Sequence, residues 1–257
     1  MSYTNGQIIW HELIAPDVDA ARAFYPRIVG WTVDEMTVEG IDHSVLNTPS
    51  GSAAAIVASG KRDGERPGAQ GWVSYVKVDD VDAATDAALA LNASTLLSPR
   101  TATGVGRFAI LADPQGASFG LLRPDNENAT SPTSESQTGR AGWHELYTAD
   151  VDAACDFYAE LFGWQRHQAF EMGPAGTYQI ISLDGFPLGG MMRRPDSVAL
   201  PQWSPFFQVA DIANAERSVR EAGGTIVDGL RPVPGGDWTV KCADNQGINF
   251  AMSGRKT

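Results

Sequence analysis

The segment WHELIAPDVDAARAFYPRIVGW at 10–31 returns at 143–164 as WHELYTADVDAACDFYAELFGW, displaced by 133 positions without a gap. Two further stretches repeat at a displacement of 131. WVSYVKVDDVDAA (72–84) matches WSPFFQVADIANA (203–215), and LADPQGASFGLL (111–122) matches CADNQGINFAMS (242–253). One folding unit therefore occurs twice, and any fold assigned to one half must serve the other. Between the copies lies RPDNENATSPTSESQTGR (123–140), rich in Pro, Ser, Thr and Asn, which reads as a linker. The expected division is a first domain over 1–123 with modules at 8–58 and 71–123. A linker over 124–140 follows, then a second domain over 141–257 with modules at 141–193 and 203–253.

Within each module the pattern starts with an apolar strand, such as Ile8–Ile14, followed by an Asp suited to cap a helix. Ala21, Phe24, Tyr25 and Ile28 then recur at helical spacing, and Gly30 supplies a stop. Pro26 falls inside that helix and should kink or shorten it; the second copy has Ala159 there. Strands are expected at Thr32–Val38, His43–Asn47 and Ser52–Ala58. The next module repeats the plan with a strand at Trp72–Val78, a helix from Val81 to Leu91, and strands near Thr95, at Arg107–Ala112 and at Ala117–Leu122. The chain thus reads as α+β: four β-α-β-β-β modules, with helices outside curved antiparallel sheets.

The net charge of −12 over 257 residues argues against nucleic acid or an anionic membrane as partner. No run approaches the roughly 18 apolar residues of a membrane span. Two cysteines, Cys155 and Cys242, do not make a disulfide framework, and a cytoplasmic protein with reduced thiols is expected. The sequence admits a monomer or a homodimer. PLGGMM (187–192) lacks the Lys and helix of a phosphate loop, and PVPGGDW (232–238) reads as a turn at a rim. GKRDGERPGAQ (60–70) reads as a polar, solvated connection.

The openings "D…FY…GW" at 17–31 and 150–164, with the turns ADPQG (112–116) and ADNQG (243–247), resemble those of the vicinal oxygen chelate superfamily. That superfamily includes glyoxalase I, bleomycin-resistance proteins and extradiol dioxygenases. More narrowly, the chain resembles the four-module actinobacterial glyoxalase-like proteins, some labelled hydroxylases or culture-filtrate antigens. The resemblance implies that paired modules roll into a cup holding a ligand, giving two cups. It also implies where a metal would be held, with a ligand on the first strand of a module and a Glu seven residues after the Asp of the turn. Here the latter positions are Gly120 and Ala251, and the former are Trp10, Trp143, Val73 and Ser204. None is a first-choice ligand for a transition metal, so no metal and no other cofactor is expected.

Strand alternation then separates the paired His and Glu. Trp10, Glu12 and Ile14 share one face, and His11 shares the other with Ile9 and Leu13. If Trp10 stands where relatives hold a ligand, then Trp10 and Glu12 face the first cup, and Trp143, Glu145 and Tyr147 face the second. His11 and His144 lie behind, where they read first as core residues held by a hydrogen bond, with a proton-relay role or metal ligation as the alternatives. The same register adds Tyr75, Lys77 and Ser118 to the first cup and Phe206, Gln208 and Asn249 to the second. Trp238 is a further candidate for stacking on a ligand. Glu12 and Glu145 are candidates for a general base; equally, each could be tied in a salt bridge, with Arg107 and Lys241 as partners. The leading expectation is a metal-independent protein binding a small aromatic or partly cationic molecule, in resistance or as an accessory in secondary metabolism. The alternative is a lyase, isomerase or hydroxylase-type enzyme using a cup-facing Glu.

Overall fold

A computed structural model describes residues 3–62, 64–65, 70–126 and 138–257. The first copy contains β1 (Ile8–Ala15), α1 (Val18–Val29), β2 (Thr32–Val38), β3 (Ile41–Thr48) and β4 (Gly51–Ala58), then β5 (Gly71–Lys77), α2 (Val81–Ala90), β6 (Ser94–Ala102), β7 (Gly106–Ala112) and β8 (Ser118–Pro124). The second repeats this as β9 (Ala141–Thr148), α3 (Val151–Phe162), β10 (Gln165–Glu171), β11 (Thr177–Leu183) and β12 (Phe186–Arg193), then β13 (Gln202–Val209), α4 (Ile212–Glu221), β14 (Thr225–Pro232), β15 (Trp238–Ala243) and β16 (Asn249–Gly254). Most of the expected linker falls outside the described residues. No helix among the described residues is long and apolar enough to cross a membrane.

The helix ends follow from single residues. Asp17 and Asp150 accept from the backbone NH of Ala20 and Ala153, and Gly30 and Gly163 close the same helices in the left-handed region at φ 86° and 72°. Pro26 does not shorten α1, which has the same 12 residues as α3. It lies in the final turn, where Gly30 still donates to its carbonyl.

Each copy forms one eight-stranded sheet, in the orders β2-β3-β4-β1-β5-β8-β7-β6 and β10-β11-β12-β9-β13-β16-β15-β14. The sheets are mixed rather than wholly antiparallel. The first and last strands of a module run parallel, as β1 with β4 and β5 with β8, because the intervening helix acts as a crossover. The two modules of a copy join through the antiparallel pair β1–β5 or β9–β13.

The helix-bearing faces of the sheets pack across copies. Leu13, Phe24, Tyr25 and Trp31 of the first copy share one core with Phe207, Val219 and Phe250 of the second. Leu111 and Phe119 share another with Phe157, Tyr158, Trp164 and Trp203. The family-like motifs do this docking. Tyr25 Oη donates to Asp244 Oδ2 at 3.0 Å, and Tyr158 Oη donates to Asp113 Oδ2 at 3.1 Å. Trp72 and Trp203 in turn donate their indole NH to those two phenols. Gln246 bridges the backbone NH and carbonyl of Asp17, while Gln115 does the same at Asp150. Where the copies meet, the His11 and His144 rings abut edge to edge, with centroids 5.1 Å apart and planes 4° apart. Both imidazoles therefore lie on the helix-bearing face, bonded to each other.

Candidate functional site in the first cup

The opposite face of the first sheet is concave and encloses a cavity of about 550 Å³. That is within the roughly 300–1,000 Å³ usual for small-molecule sites. The sheet builds it by alternation. In β1, Trp10 and Glu12 line it; in β3, His43 and Val45 do; and in β5, Tyr75 does. Phe108, Leu122 and Ile41 add apolar wall, and Lys61 and Arg100 add positive charge at its lining.

Glu12 is buried at 4% exposure and is held from two sides. Arg62 Nη2 donates to Oε1 at 2.5 Å, and Tyr75 Oη donates to Oε2 at 2.9 Å. His43 Nε2 stands 3.7 Å from the same Oε1. Burial works against the charge on Arg62, but Glu12, Tyr75 and Glu65 together more than offset this and hold the guanidinium charged. Burial, reinforced by Glu12, pushes the Tyr75 phenol well above its ordinary value, so it remains a protonated donor. The guanidinium of Arg62 also lies over the Phe108 ring, 5.8 Å from its centroid.

Two of these residues were not among the sequence candidates. His43 was legible in principle, since it shares a strand face with Val45 and opposes the core-facing Leu46. Arg62 was not: it sits in the connection read as solvated, yet its side chain is 4% exposed. Arg107, expected as a partner for Glu12, instead pairs with Asp82 on the surface. It adjoins the cup-facing Phe108 and Ile110, whose parity it does not share. Lys77 and Ser118 occupy the ends of β5 and β8; Lys77 is paired with Asp79.

The second cup has a different interior. Trp143, Glu145 and Tyr147 share the cup face of β9, with Phe206 and Gln208 on β13 and Asn249 on β16. Glu145 bonds Lys241 Nζ at 2.5 Å, as anticipated, and Lys241 lies 5.1 Å from the Tyr147 ring centroid. The Trp143 indole donates to Tyr178 Oη at 2.8 Å. Burial, then Glu145, raises the Tyr147 and Tyr178 phenols. Paired strand registers make Tyr178 the counterpart of His43, Tyr147 of Ile14, and Met192 of Val57. Tyr147, Met192, Val198 and Tyr178 pack on one another there, so larger side chains than in the first copy stand at these positions. Trp238 faces neither cup. It shares its strand parity with Val240 and Cys242, packs against the helix-side core, and carries Lys256 over its ring.

At the positions where the resemblance implies metal ligands, the side chains present are poor donors. Trp10 and Val73 offer no suitable donor atom, and Gly120 has no side chain. A Cβ at Gly120 would stand 2.2 Å from the Tyr75 ring, so that ring occupies the space a ligating residue would need. These residues do not fit a metal ion. Among the described residues no group of three or more His, Cys, Asp or Glu side chains is arranged to hold one.

Comparison with known proteins agrees with this architecture. The sequence profile described as Glyoxalase/Bleomycin resistance protein/Dioxygenase superfamily matches residues 7–121 and 140–252. The anthracycline biosynthesis protein DnrV of Streptomyces peucetius is 28% identical over 262 aligned residues, covering 97% of this chain and 94% of that protein. Among solved structures, a mutant 4-hydroxymandelate synthase from Streptomyces coelicolor superposes with a TM-score of 0.63 at 14% identity, covering 99% of this chain and 93% of its own. A Mn(II)-bound glyoxalase from Novosphingobium aromaticivorans gives 0.64 at 11% identity, with 100% and 83% covered. These two likenesses are likenesses of fold.

Proposed function

The chain belongs to the Glyoxalase/Bleomycin resistance protein/Dioxygenase superfamily, and on that footing we propose that its first cup is a metal-independent binding site for a small, planar aromatic molecule. The observation that carries this is the asymmetry between the cups. One encloses about 550 Å³ between aromatic and aliphatic walls, whereas in its duplicate Tyr147, Tyr178 and Met192, in place of Ile14, His43 and Val57, pack on one another. Trp10, Tyr75 and Phe108 offer ring faces and edges for stacking. The ligand need not be cationic, because Arg62 already neutralises Glu12. The full-length likeness to a protein named for anthracycline biosynthesis supports a role in secondary metabolism.

Titration with 2-methylanthraquinone and anthraquinone-2-carboxylate, followed by tryptophan fluorescence and calorimetry, tests the proposal. One molecule bound per chain, with binding abolished by Ala55→Phe in the first cup and unaffected by Glu145→Gln in the second, is the expected result. Two equivalent sites, or indifference to Ala55→Phe, would overturn it.

A second reading has a specific observation in its favour: Glu12, Tyr75 and His43 bring three proton-transferring groups together inside the cavity. Under it the protein is a lyase or isomerase with Glu12 as base. Glu12→Gln separates the readings, since turnover of a bound substrate would be lost while its binding persists.

A further inference from the structure

Arg62 carries a feature that its pairing with Glu12 does not explain. Its side chain is 96% buried (4% exposed), it lines the cavity, and Nη2 serves Glu12, but Nη1 has no hydrogen-bond partner among the described residues. An unmatched donor on a buried charged group typically costs several times the net worth of an ordinary hydrogen bond. Native proteins match such groups unless something else is meant to supply the acceptor. Arg62 leaves the sheet at the β4–β5 connection, where Glu65 accepts from its backbone NH and from that of Gly60. Its placement is thus fixed from the backbone as well as from Glu12 and Phe108.

We propose that Arg62 Nη1 is a recognition point for an anionic oxygen, a carboxylate or ionised phenol, carried on the aromatic ligand. This rests on the reading of the first cup as the binding site and adds what that site selects. The cavity lining is consistent with a negative ligand group. Lys61, Arg62 and Arg100 set three cationic side chains against the two carboxylates Glu12 and Glu39. Glu12 is saturated by Arg62 and Tyr75, so its charge is already compensated. The guanidinium lies over Phe108, which lines the same cavity, and its unmatched Nη1 can give a charge-assisted hydrogen bond to an oxygen bound there. The second cup provides an internal contrast: its cation, Lys241, comes from a sheet strand and is committed to Glu145.

The test compares anthraquinone-2-carboxylate with 2-methylanthraquinone, which share a ring system and differ in the anion. On the wild-type chain the carboxylate is expected to bind at least tenfold tighter. Arg62→Lys keeps the charge but loses the second NH2 arm, and the preference should fall several-fold. Because Arg62→Gln alone would strand Glu12, the paired Glu12→Gln/Arg62→Gln chain serves as the control that lacks this ion pair; there most of the preference should be lost, leaving only the pull of Lys61 and Arg100 at the lining. Glu12→Gln alone should keep the preference or increase it. Equal binding of both probes to the wild type, or a preference undiminished in the doubly substituted chain, overturns this inference while the binding site itself stands. Failure of both probes to bind the wild type overturns both.

Discussion

His11 Nε2 and His144 Nε2 lie 2.9 Å apart, joining equivalent positions of the two copies through one hydrogen bond. The bond fixes both tautomers. His144 Nδ1 faces the Leu188 carbonyl at 3.1 Å and must donate to it, which leaves Nε2 as acceptor. His11 Nε2 is therefore the protonated nitrogen. Equivalent residues thus hold different protonation patterns.

Acid should loosen the molecule at this contact. Burial lowers the His144 pKa to about 4 and lowers that of His11 well below its ordinary value, with His144 adding to the effect. The unfolded chain then binds more protons than the folded one below about pH 6.5, so stability falls as pH drops from there toward 4. His144 alone accounts for about 3 kcal/mol at the acid end. Urea midpoints measured between pH 7.5 and 4.5 should show this slope, and a His11→Leu/His144→Leu chain should show a flatter one.

The docking phenols should matter to both halves together. Tyr158→Phe removes the donor to Asp113 Oδ2 and leaves that oxygen unpaired, while Gln115 and Ala117 still donate to Oδ1, at about 1–3 kcal/mol. Tyr25→Phe does the same at Asp244. Because each core draws side chains from both copies, either substitution should shift one unfolding transition without splitting it. Denaturation followed by far-UV and near-UV signals together would show this; two separated transitions would contradict it.

Neither thiol should react in the native state. Burial raises the Cys242 thiol to about 12 and raises Cys155 as well, leaving little thiolate at neutral pH. A disulfide reagent should label the native chain slowly at both positions and label it fully in denaturant. Rapid labelling of the native protein would show that one of these helix-side cores opens readily.

Gly120→Ala should damage the first cup without touching a charged group. The added Cβ would sit 2.2 Å from the Tyr75 ring, which must move and so release Glu12 from its phenol donor. Weaker probe binding with a modest loss of melting temperature is expected, since Tyr75 borders a cavity that can accept its displacement. Unchanged binding would mean that the Tyr75 contact plays no part in recognition.

Much of the fold was legible because its signals are local. Aspartate caps, helix-period apolar residues and the repeat offset placed the expected helices and strands within a residue or two of their ends at most boundaries. In β1, the period of two separated Glu12 from His11 and sent each to its own face. Long-range partners were another matter. Lys241 could be anticipated beside Glu145 because β15 is regular, but its first-copy counterpart is residue 241 − 131 = 110, an isoleucine. The cation for Glu12 comes instead from Arg62, in a connection where no periodicity dictates which way a side chain turns. Trp238 shows the opposite failure, since it sits in a regular strand but shares parity with Val240 rather than Lys241.

The crossed contacts Tyr25–Asp244 and Tyr158–Asp113 reproduce, inside one chain, the isologous interface of a twofold homodimer. A protomer pair made from one gene must change both of its hollows at once. Fusion lifts that restriction while the shared seam holds the halves in register. One hollow was then free to take on tyrosines as ballast, and the other to acquire an arginine of its own.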